Sequence, residues 1–251
     1  MLDLKFRIHI NLYCLVAVSI TCLLLFSSQT SGESFEAGSS ALARGHHATA
    51  MRAWKGMAES GVAEAQNNVG HLYEKGLGVS QDYSQAKDWY KKAADQRLPE
   101  AQHNLGMLYY HGYGVSQDYR AARKWFNRAT KNEIYPSQYM LGLIYYKGEG
   151  VTKDLALARQ HFKTAAENNY GNAQMMYAYM LQAGDGGEAD PKRALTWASI
   201  AESREIDGAK EISYYAELLL NDLEISTARQ SATACIIAED FTKCIRGNNS
   251  Q

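Results

Sequence analysis

The clearest candidate for catalysis is a serine that precedes a lysine by one helical turn. Ser84 and Lys87 have the spacing at which a lysine amine can take the proton of a serine nucleophile. Enzymes that use this pair also carry Ser-Asp-Asn and Lys-Thr-Gly segments, and this sequence contains neither. Thirty-six residues later the same positions hold Arg120 and Arg123. The pattern therefore favours an exposed helix face over an acyl-transfer site.

Histidines are the natural candidates for metal ligands, and their spacing does not suit a metal site. His46 and His47 are adjacent, and no two histidines stand four residues apart around a carboxylate, the arrangement that holds zinc on one helix face. The other histidines are spread along the chain, so local structure does not bring them together. We predict no metal and no cofactor; these other histidines include His71, His103, His111 and His161.

The first residues have the layout of a secretory signal peptide. A basic start with Lys5 and Arg7 precedes a mostly apolar run from Leu12 to Phe26, and small polar residues follow. The run is short for a helix that must span about 30 Å of hydrocarbon, and an uncleaved anchor is the alternative. We expect residues 1–32 to direct export to the periplasm or the cell exterior, with membrane attachment only where this segment is retained.

Removal of that segment leaves two cysteines, Cys235 and Cys244, and an even number of cysteines in an exported chain favours a disulfide. On one unbroken helix, side chains at this spacing lie about half a turn out of phase and ~13 Å apart along the axis, beyond disulfide reach. The bond therefore requires the helix to end near Glu239 and the chain to fold back. Two free thiols are the alternative.

A period of 36 residues organises the chain. Glycines, aspartates and alanines recur in one register, and Trp89, Trp125 and Trp197 recur with them, while His161 stands in the remaining place. A fixed period of this length indicates a helical repeat protein. The repeated positions are Gly70, Gly106 and Gly142; Gly76, Gly112, Gly148 and Gly184; Gly78, Gly114, Gly150 and Gly186; Asp82, Asp118, Asp154 and Asp190; and Ala86, Ala122, Ala158 and Ala194.

Each repeat is predicted to form a helix, a glycine loop and a second helix. In the first repeat Val69, Leu72 and Tyr73 mark one apolar helix face. The loop glycines tolerate a positive φ and let the chain reverse sharply, and Asp82 stands where its carboxylate would cap the second helix. One hairpin cannot bury its apolar face alone, so neighbouring repeats must stack. The sequence thus predicts an all-α fold of helix-turn-helix repeats.

The repeat register sets the predicted domain boundaries. The outer units of a repeat array depart from the repeat pattern, so residues 33–63 are predicted to form an N-terminal capping hairpin and residues 211–251 a pair of C-terminal capping helices. The four full repeats are predicted to cover residues 64–99, 100–135, 136–171 and 172–210.

Longer runs within the repeats share one pattern: Asn68 to Val79 and Ala86 to Ala94 in the first repeat, Leu105 to Val115 in the second, and Leu141 to Val151 in the third. These runs resemble the Sel-1-like repeat family, a relative of the tetratricopeptide repeats, over about residues 40–210. The resemblance implies a right-handed α/α superhelix, or solenoid, whose first helices line a concave surface for protein–protein contacts. It also implies that exported bacterial members often act as adaptors.

The same resemblance places three positions of each first helix on the inner face, at spacings of four and three residues. Tyrosine and methionine are frequent there and suit a partner surface, with Tyr110, Tyr146 and Tyr179 as a stripe. The alternative is that these side chains pack against the neighbouring repeat. The predicted partner-binding residues are Asn67, His71, His103, Met107, Tyr110, Tyr139, Leu143, Tyr146, Met175 and Tyr179; Glu74 and Gln182 share the face.

We therefore predict an exported scaffold, without enzymatic activity, that binds a protein or peptide partner in its concave groove and acts as an adaptor. The formal net charge is −1, so no bulk attraction favours nucleic acid or an anionic membrane. Some cysteine-rich relatives of Sel-1-like proteins have been linked to β-lactam binding or hydrolysis. By that analogy alone, the alternative is a hydrolase acting on β-lactam or peptidoglycan-like substrates.

Overall fold

A computed structural model describes residues 35–238 and residue 241 of the chain. Every regular element in these residues is helical, which confirms the all-α fold class. The predicted signal peptide at residues 1–32 and Cys244 lie outside the described residues. No helix in the described part combines the length and the apolar character that crossing a bilayer requires.

The helices belong to two compact units, Met1–Leu98 and Pro99–Gln251. In the first unit, α1 is helical over residues 35–43, and it is followed by α2 (His47–Glu59), α3 (Ala63–Lys75) and α4 (Tyr83–Asp95). The second unit contains α5 (Pro99–His111), α6 (Tyr119–Ala129) with a short 3₁₀ turn (Thr130–Asn132), α7 (Tyr135–Lys147), α8 (Leu155–Glu167), α9 (Gly171–Ala183), α10 (Pro191–Glu202), α11 (Ala209–Glu217) and α12 (Asp222–Ile236).

Each repeat pairs its two helices as a hairpin: α3 with α4, α5 with α6, α7 with α8, and α9 with α10. The first three hairpins close tightly because a glycine of the first helix faces an aromatic ring of the second. A Cβ atom added at Gly142 would lie 2.6 Å from Cε1 of Phe162, and one added at Gly106 would lie 2.6 Å from Cε1 of Phe126. These rings are fully buried, so the recurring glycine is required by packing.

The recurring aspartates cap the second helices, as predicted. Asp82 accepts a hydrogen bond from the backbone N–H of Gln85 at 2.9 Å, and Asp154 accepts one from Leu157 at 2.9 Å. Each carboxylate satisfies an amide that the helix itself leaves without a partner. The equivalent caps of α6 and α10 are Asp118 and Asp190.

The second glycine of a loop lets the backbone rest on a neighbouring helix. Gly78 has φ of 72°, and a Cβ atom there would lie 2.6 Å from the backbone of His47 and Ala48 at the start of α2. In the second unit, a Cβ atom at Gly150 would lie 2.8 Å from Cβ of Tyr119 at the start of α6. Only glycine fits both the positive φ and the close approach.

The last two helices of the described part are α11 and α12, and α12 begins at Asp222. Asn221 and Glu224 form a reciprocal capping box that starts this helix. The helix ends at Ile236, before Glu239, as a bond from Cys235 to Cys244 requires. Cys235 is fully buried, and the disulfide stays a prediction because Cys244 is not described.

Candidate partner-binding face

The predicted partner-binding residues all lie on first helices of the repeats. Asn67 and His71 are on α3 in the first unit, and the remaining residues are in the second unit. The second-unit residues are His103, Met107 and Tyr110 on α5; Tyr139, Leu143 and Tyr146 on α7; and Met175 and Tyr179 on α9.

In the first unit, the predicted partner-binding face includes the carboxylate of Glu74, which a hydrogen bond holds in place. Asn67 and His71 are half-buried, and the hydroxyl of Tyr90 donates to Oε2 of Glu74 at 2.7 Å. Burial alone would raise the pKa of Glu74, but hydrogen bonds from Lys75 and Tyr90 outweigh it and lower that pKa. Burial lowers the pKa of His71, which favours its neutral form.

In the second unit Tyr110 differs from the prediction because it is mostly buried. Only 8% of the residue is exposed, and its ring packs edge-on against Tyr119 with centroids 5.2 Å apart. Its hydroxyl donates to Oε2 of Glu149 at 2.7 Å and accepts from Nζ of Lys147 at 3.4 Å. Burial and the bond to Glu149 raise the pKa of Tyr110. Its ring is not available to a partner.

His103 and Tyr139 fill the space between neighbouring hairpins. Nδ1 of His103 lies 2.8 Å from Oγ of Ser137, which is fully buried. The ring centroid of Tyr139 lies 5.6 Å from that of Phe162 and 5.4 Å from that of Tyr170. These two predicted residues are half-buried and make contacts within the array. Met107, Leu143 and Met175 are also partly buried against the core.

Tyr146 and Tyr179, called here the tyrosine pair, contact each other, and both reach solvent. Tyr179 is 38% exposed, whereas Tyr146 is half-buried. Their rings meet edge-to-face with centroids 6.4 Å apart, and their hydroxyls lie 3.5 Å apart. The hydrogen bond with Tyr179 raises the pKa of Tyr146 to about 12. The pair presents two aromatic rings and two hydroxyl groups to solvent.

The charged residues beside the tyrosines were not among the predicted site residues. Nζ of Lys153 lies 5.3 Å from the centre of the Tyr146 ring, a cation–π arrangement. Lys147 and Glu149 form an ion pair at 3.7 Å, and Asp185 also acts on Tyr146. A signal existed in the sequence: these residues flank or lie within the glycine loops that directly follow the first helices.

The candidate catalytic residues Ser84 and Lys87 both lie on α4. Ser84 is exposed near the start of α4, and Nζ of Lys87 pairs with Asp88 at 3.0 Å. Within the described part of the chain, no cluster of three or more His, Cys, Asp or Glu side chains could hold a metal ion.

Comparison with known proteins identifies the repeats. The family model described as Sel1 repeat matches residues 63–98, 99–133, 136–170 and 171–204, which is more than half of the chain. The chain belongs to the Sel1 repeat family. A search of curated proteins found no match.

Solved structures of Sel1 repeat proteins are similar to this chain. A Sel1 repeat protein from Oxalobacter formigenes is 30% identical with a TM-score of 0.60, and the match covers 66% of this chain and 48% of that one. A protective antigen of uropathogenic Escherichia coli strains, which displays an SLR fold, is 26% identical with a TM-score of 0.66, covering 88% of this chain and 54% of that one. This chain spans about half the length of each.

A putative Sel1 repeat protein from Klebsiella pneumoniae shares the fold at 20% identity and a TM-score of 0.51, over 74% of this chain and 93% of that one. Sel1 repeat proteins are scaffolds that typically mediate protein–protein interaction and are generally not catalytic.

Proposed function

We propose that this protein is an exported adaptor that holds a segment of another protein against the first helices of its repeats, in the concave groove that the family resemblance implies. The observation that carries the proposal is the solvent-facing tyrosine pair, Tyr146 and Tyr179. Large aromatic residues with a polar tip are enriched at protein interfaces, because they give much contact area for little lost side-chain entropy.

The surroundings of the tyrosine pair indicate what kind of segment it would bind. Lys147 and Lys153 contribute positive charge, and Glu149 and Asp185 contribute negative charge. This balance selects neither a strongly acidic nor a strongly basic partner. A segment with apolar side chains to cover the rings and backbone groups to bond the two hydroxyls fits best.

Export is the second part of the proposal. It rests on the basic start and the apolar run from Leu12 to Phe26. The proposed location is the periplasm or the cell exterior, with the N-terminal segment as the membrane anchor wherever it is retained. The mass of the intact protein recovered from the envelope fraction reports this directly: loss of about the first 32 residues supports cleavage, and recovery only from the cytoplasm contradicts export.

A crosslinking experiment tests the binding face. A photoreactive amino acid at position 179 should crosslink to one protein in envelope extracts, and mass spectrometry identifies that protein. Purified partner is then titrated against the chain and against the double variant Tyr146→Ser, Tyr179→Ser. We expect the double variant to weaken binding at least tenfold, because two aromatic anchors are lost. Tyr110 is left intact because it belongs to the core.

The control is Tyr113→Ser, which removes a tyrosine that is 44% exposed in the loop after α5. This variant should bind the partner with unchanged affinity, and all variants should keep the helical circular dichroism spectrum. Equal affinity of the double variant and the unmodified chain would show that the partner binds elsewhere.

A further inference from the structure

Helix α11 occupies the place of a first helix in a fifth, incomplete repeat. Ala101, Ala173 and Ala209 follow the repeat register and are each fully buried. Five positions after this residue, the first three repeats have a glycine and the fourth has Ala178. In the register of α11 that position is Tyr214.

This position decides whether a second helix can close over the first. At Gly106 and Gly142 a Cβ atom would collide with a ring of the second helix, at 2.6 Å in both repeats. A tyrosine side chain at the same position therefore excludes a second helix from that face. Tyr214 is 58% exposed.

Helix α12 instead packs on α10 of the preceding repeat. The hydroxyl of Thr196 on α10 donates to the carbonyl of Ala228 at 3.4 Å, and Ala228, Ala232 and Cys235 are buried in the core beside Trp197. One ion pair, Arg229 to Glu217 at 2.6 Å, joins α12 to the end of α11. The rest of the outer face of α11 is left uncovered by the described residues.

The uncovered surface, called here the α11 face, is apolar. The turn that follows α11 extends it, because the N–H of Leu218 still donates to the carbonyl of Tyr214 at 3.3 Å. The α11 face consists of Tyr214, Tyr215, Leu218 and Leu219, exposed by 58%, 48%, 65% and 63%. Together these four residues expose roughly 450 Å², which is the level of the largest apolar patches of soluble monomers.

Two exposed charged residues, Lys210 and Glu211, precede this face on the same side of the helix. Residues four apart lie above one another on a helix. One row therefore reads Lys210, Tyr214, Leu218, and the neighbouring row reads Glu211, Tyr215, Leu219. The charged pair extends the surface toward the ~800 Å² that each partner contributes to a stable interface.

We propose that the α11 face is the interface between two copies of this chain, related by a two-fold axis that runs along α11. A two-fold axis in this direction sets one row of each helix opposite the other row of its partner. Lys210 of one copy then meets Glu211 of the other, twice over, while tyrosines meet tyrosines and leucines meet leucines. The face is complementary to itself in charge and in apolar surface.

Sedimentation velocity of the purified chain over a range of concentrations tests the proposal. We expect a dimer in the micromolar range, and at least a hundredfold higher dissociation constant for Leu218→Glu, Leu219→Glu, which buries charge where the leucines of the two copies meet. Both leucines are exposed, so the helical circular dichroism spectrum should not change. The control Tyr113→Glu, in the loop after α5, should dimerise normally.

Charge reversal tests the direction of the axis. Lys210→Glu alone and Glu211→Lys alone each create two like-charge contacts and should raise the dissociation constant roughly five- to tenfold. The combined variant Lys210→Glu, Glu211→Lys restores both ion pairs and should dimerise like the unmodified chain. A monomer at all concentrations, a dimer indifferent to the leucine variant, or a combined variant that stays weak would each overturn the proposal.

Discussion

At the scale of single residues, His161 is the side chain whose ionisation bears most directly on folding. It occupies the position where Trp89, Trp125 and Trp197 stand in the other repeats. Its ring stacks on Tyr145, with centroids 5.5 Å apart and planes at 8°. Burial lowers the pKa of His161 to about 4, because the charged form loses its hydration.

This lowered pKa predicts a loss of stability in mild acid. Between about pH 6.5 and pH 4 the unfolded chain binds a proton at His161 that the folded chain does not, so stability is complete above this range and falls with pH. From pH 7 to pH 5 the contribution lost should be about 1–2 kcal/mol, allowing for partial exposure. Urea unfolding of the chain and of His161→Phe at both pH values measures it.

The phenylalanine variant keeps an aromatic ring against Tyr145 and removes the titrating group, so it should lose less stability on acidification than the unmodified chain. His111→Gln removes an exposed imidazole and serves as the matched control, with an expected pH dependence close to that of the unmodified chain. Identical pH profiles for His161→Phe and the unmodified chain would contradict the prediction.

The tyrosines of the first helices show that the burial of a single side chain could not be predicted from the sequence. Tyr110 and Tyr146 occupy the same position of successive repeats, yet the first is buried and the second reaches solvent. Tyr110 binds Glu149 at 2.7 Å, and the corresponding residue for Tyr146 is Asp185, which is one methylene shorter. Such a distance is set by the neighbouring repeat and cannot be obtained from helix periodicity.

At the scale of helices, the start of each second helix depends on its aspartate cap. Asp154 accepts the backbone N–H of Leu157 at 2.9 Å, and its backbone is extended, with φ of −139°. Alanine at this position cannot accept that hydrogen bond, and the first turn of α8 loses one satisfied amide.

We therefore expect Asp154→Ala to lower the free energy of unfolding by about 1 kcal/mol. Asp154→Asn should cost only a few tenths of that, since asparagine caps helices about as well as aspartate. Chemical denaturation of the three proteins side by side measures the difference. Equal losses for both variants would show that the charge matters rather than the cap.

Periodicity and capping residues were sufficient to predict the repeat helices, because both are local signals. The glycine and aspartate register predicted hairpins whose second helices begin after Asp82, Asp118, Asp154 and Asp190. The capping box that starts α12, at Asn221 and Glu224, lies outside that register. The packing of α12 on α10 was not predictable, since it depends on contacts between residues far apart in sequence.

At the scale of the whole molecule, the predicted Cys235–Cys244 disulfide would fasten the C-terminal residues to the core, since Cys235 is fully buried there. Closing a loop of this length should stabilise the folded chain by about 2–3 kcal/mol. Thermal unfolding of the mature protein should therefore occur at a lower temperature in the presence of a reductant. Cys244→Ser should unfold at that lower temperature with or without reductant.

Alkylation of the unreduced, unfolded protein followed by mass spectrometry gives the independent measurement. A protein with the bond takes up no alkylating agent at either position, whereas modification of both cysteines would show that the disulfide is absent.

The close approach of loop glycines to neighbouring helices has a consequence for how such a protein changes over time. Where Gly78 meets His47 and Ala48, main-chain atoms contact main-chain atoms. The spacing between one hairpin and its neighbour is therefore set by backbone atoms, which all amino acids share. New binding preferences can therefore be acquired by exchanging surface side chains, one hairpin at a time, while the scaffold keeps its dimensions.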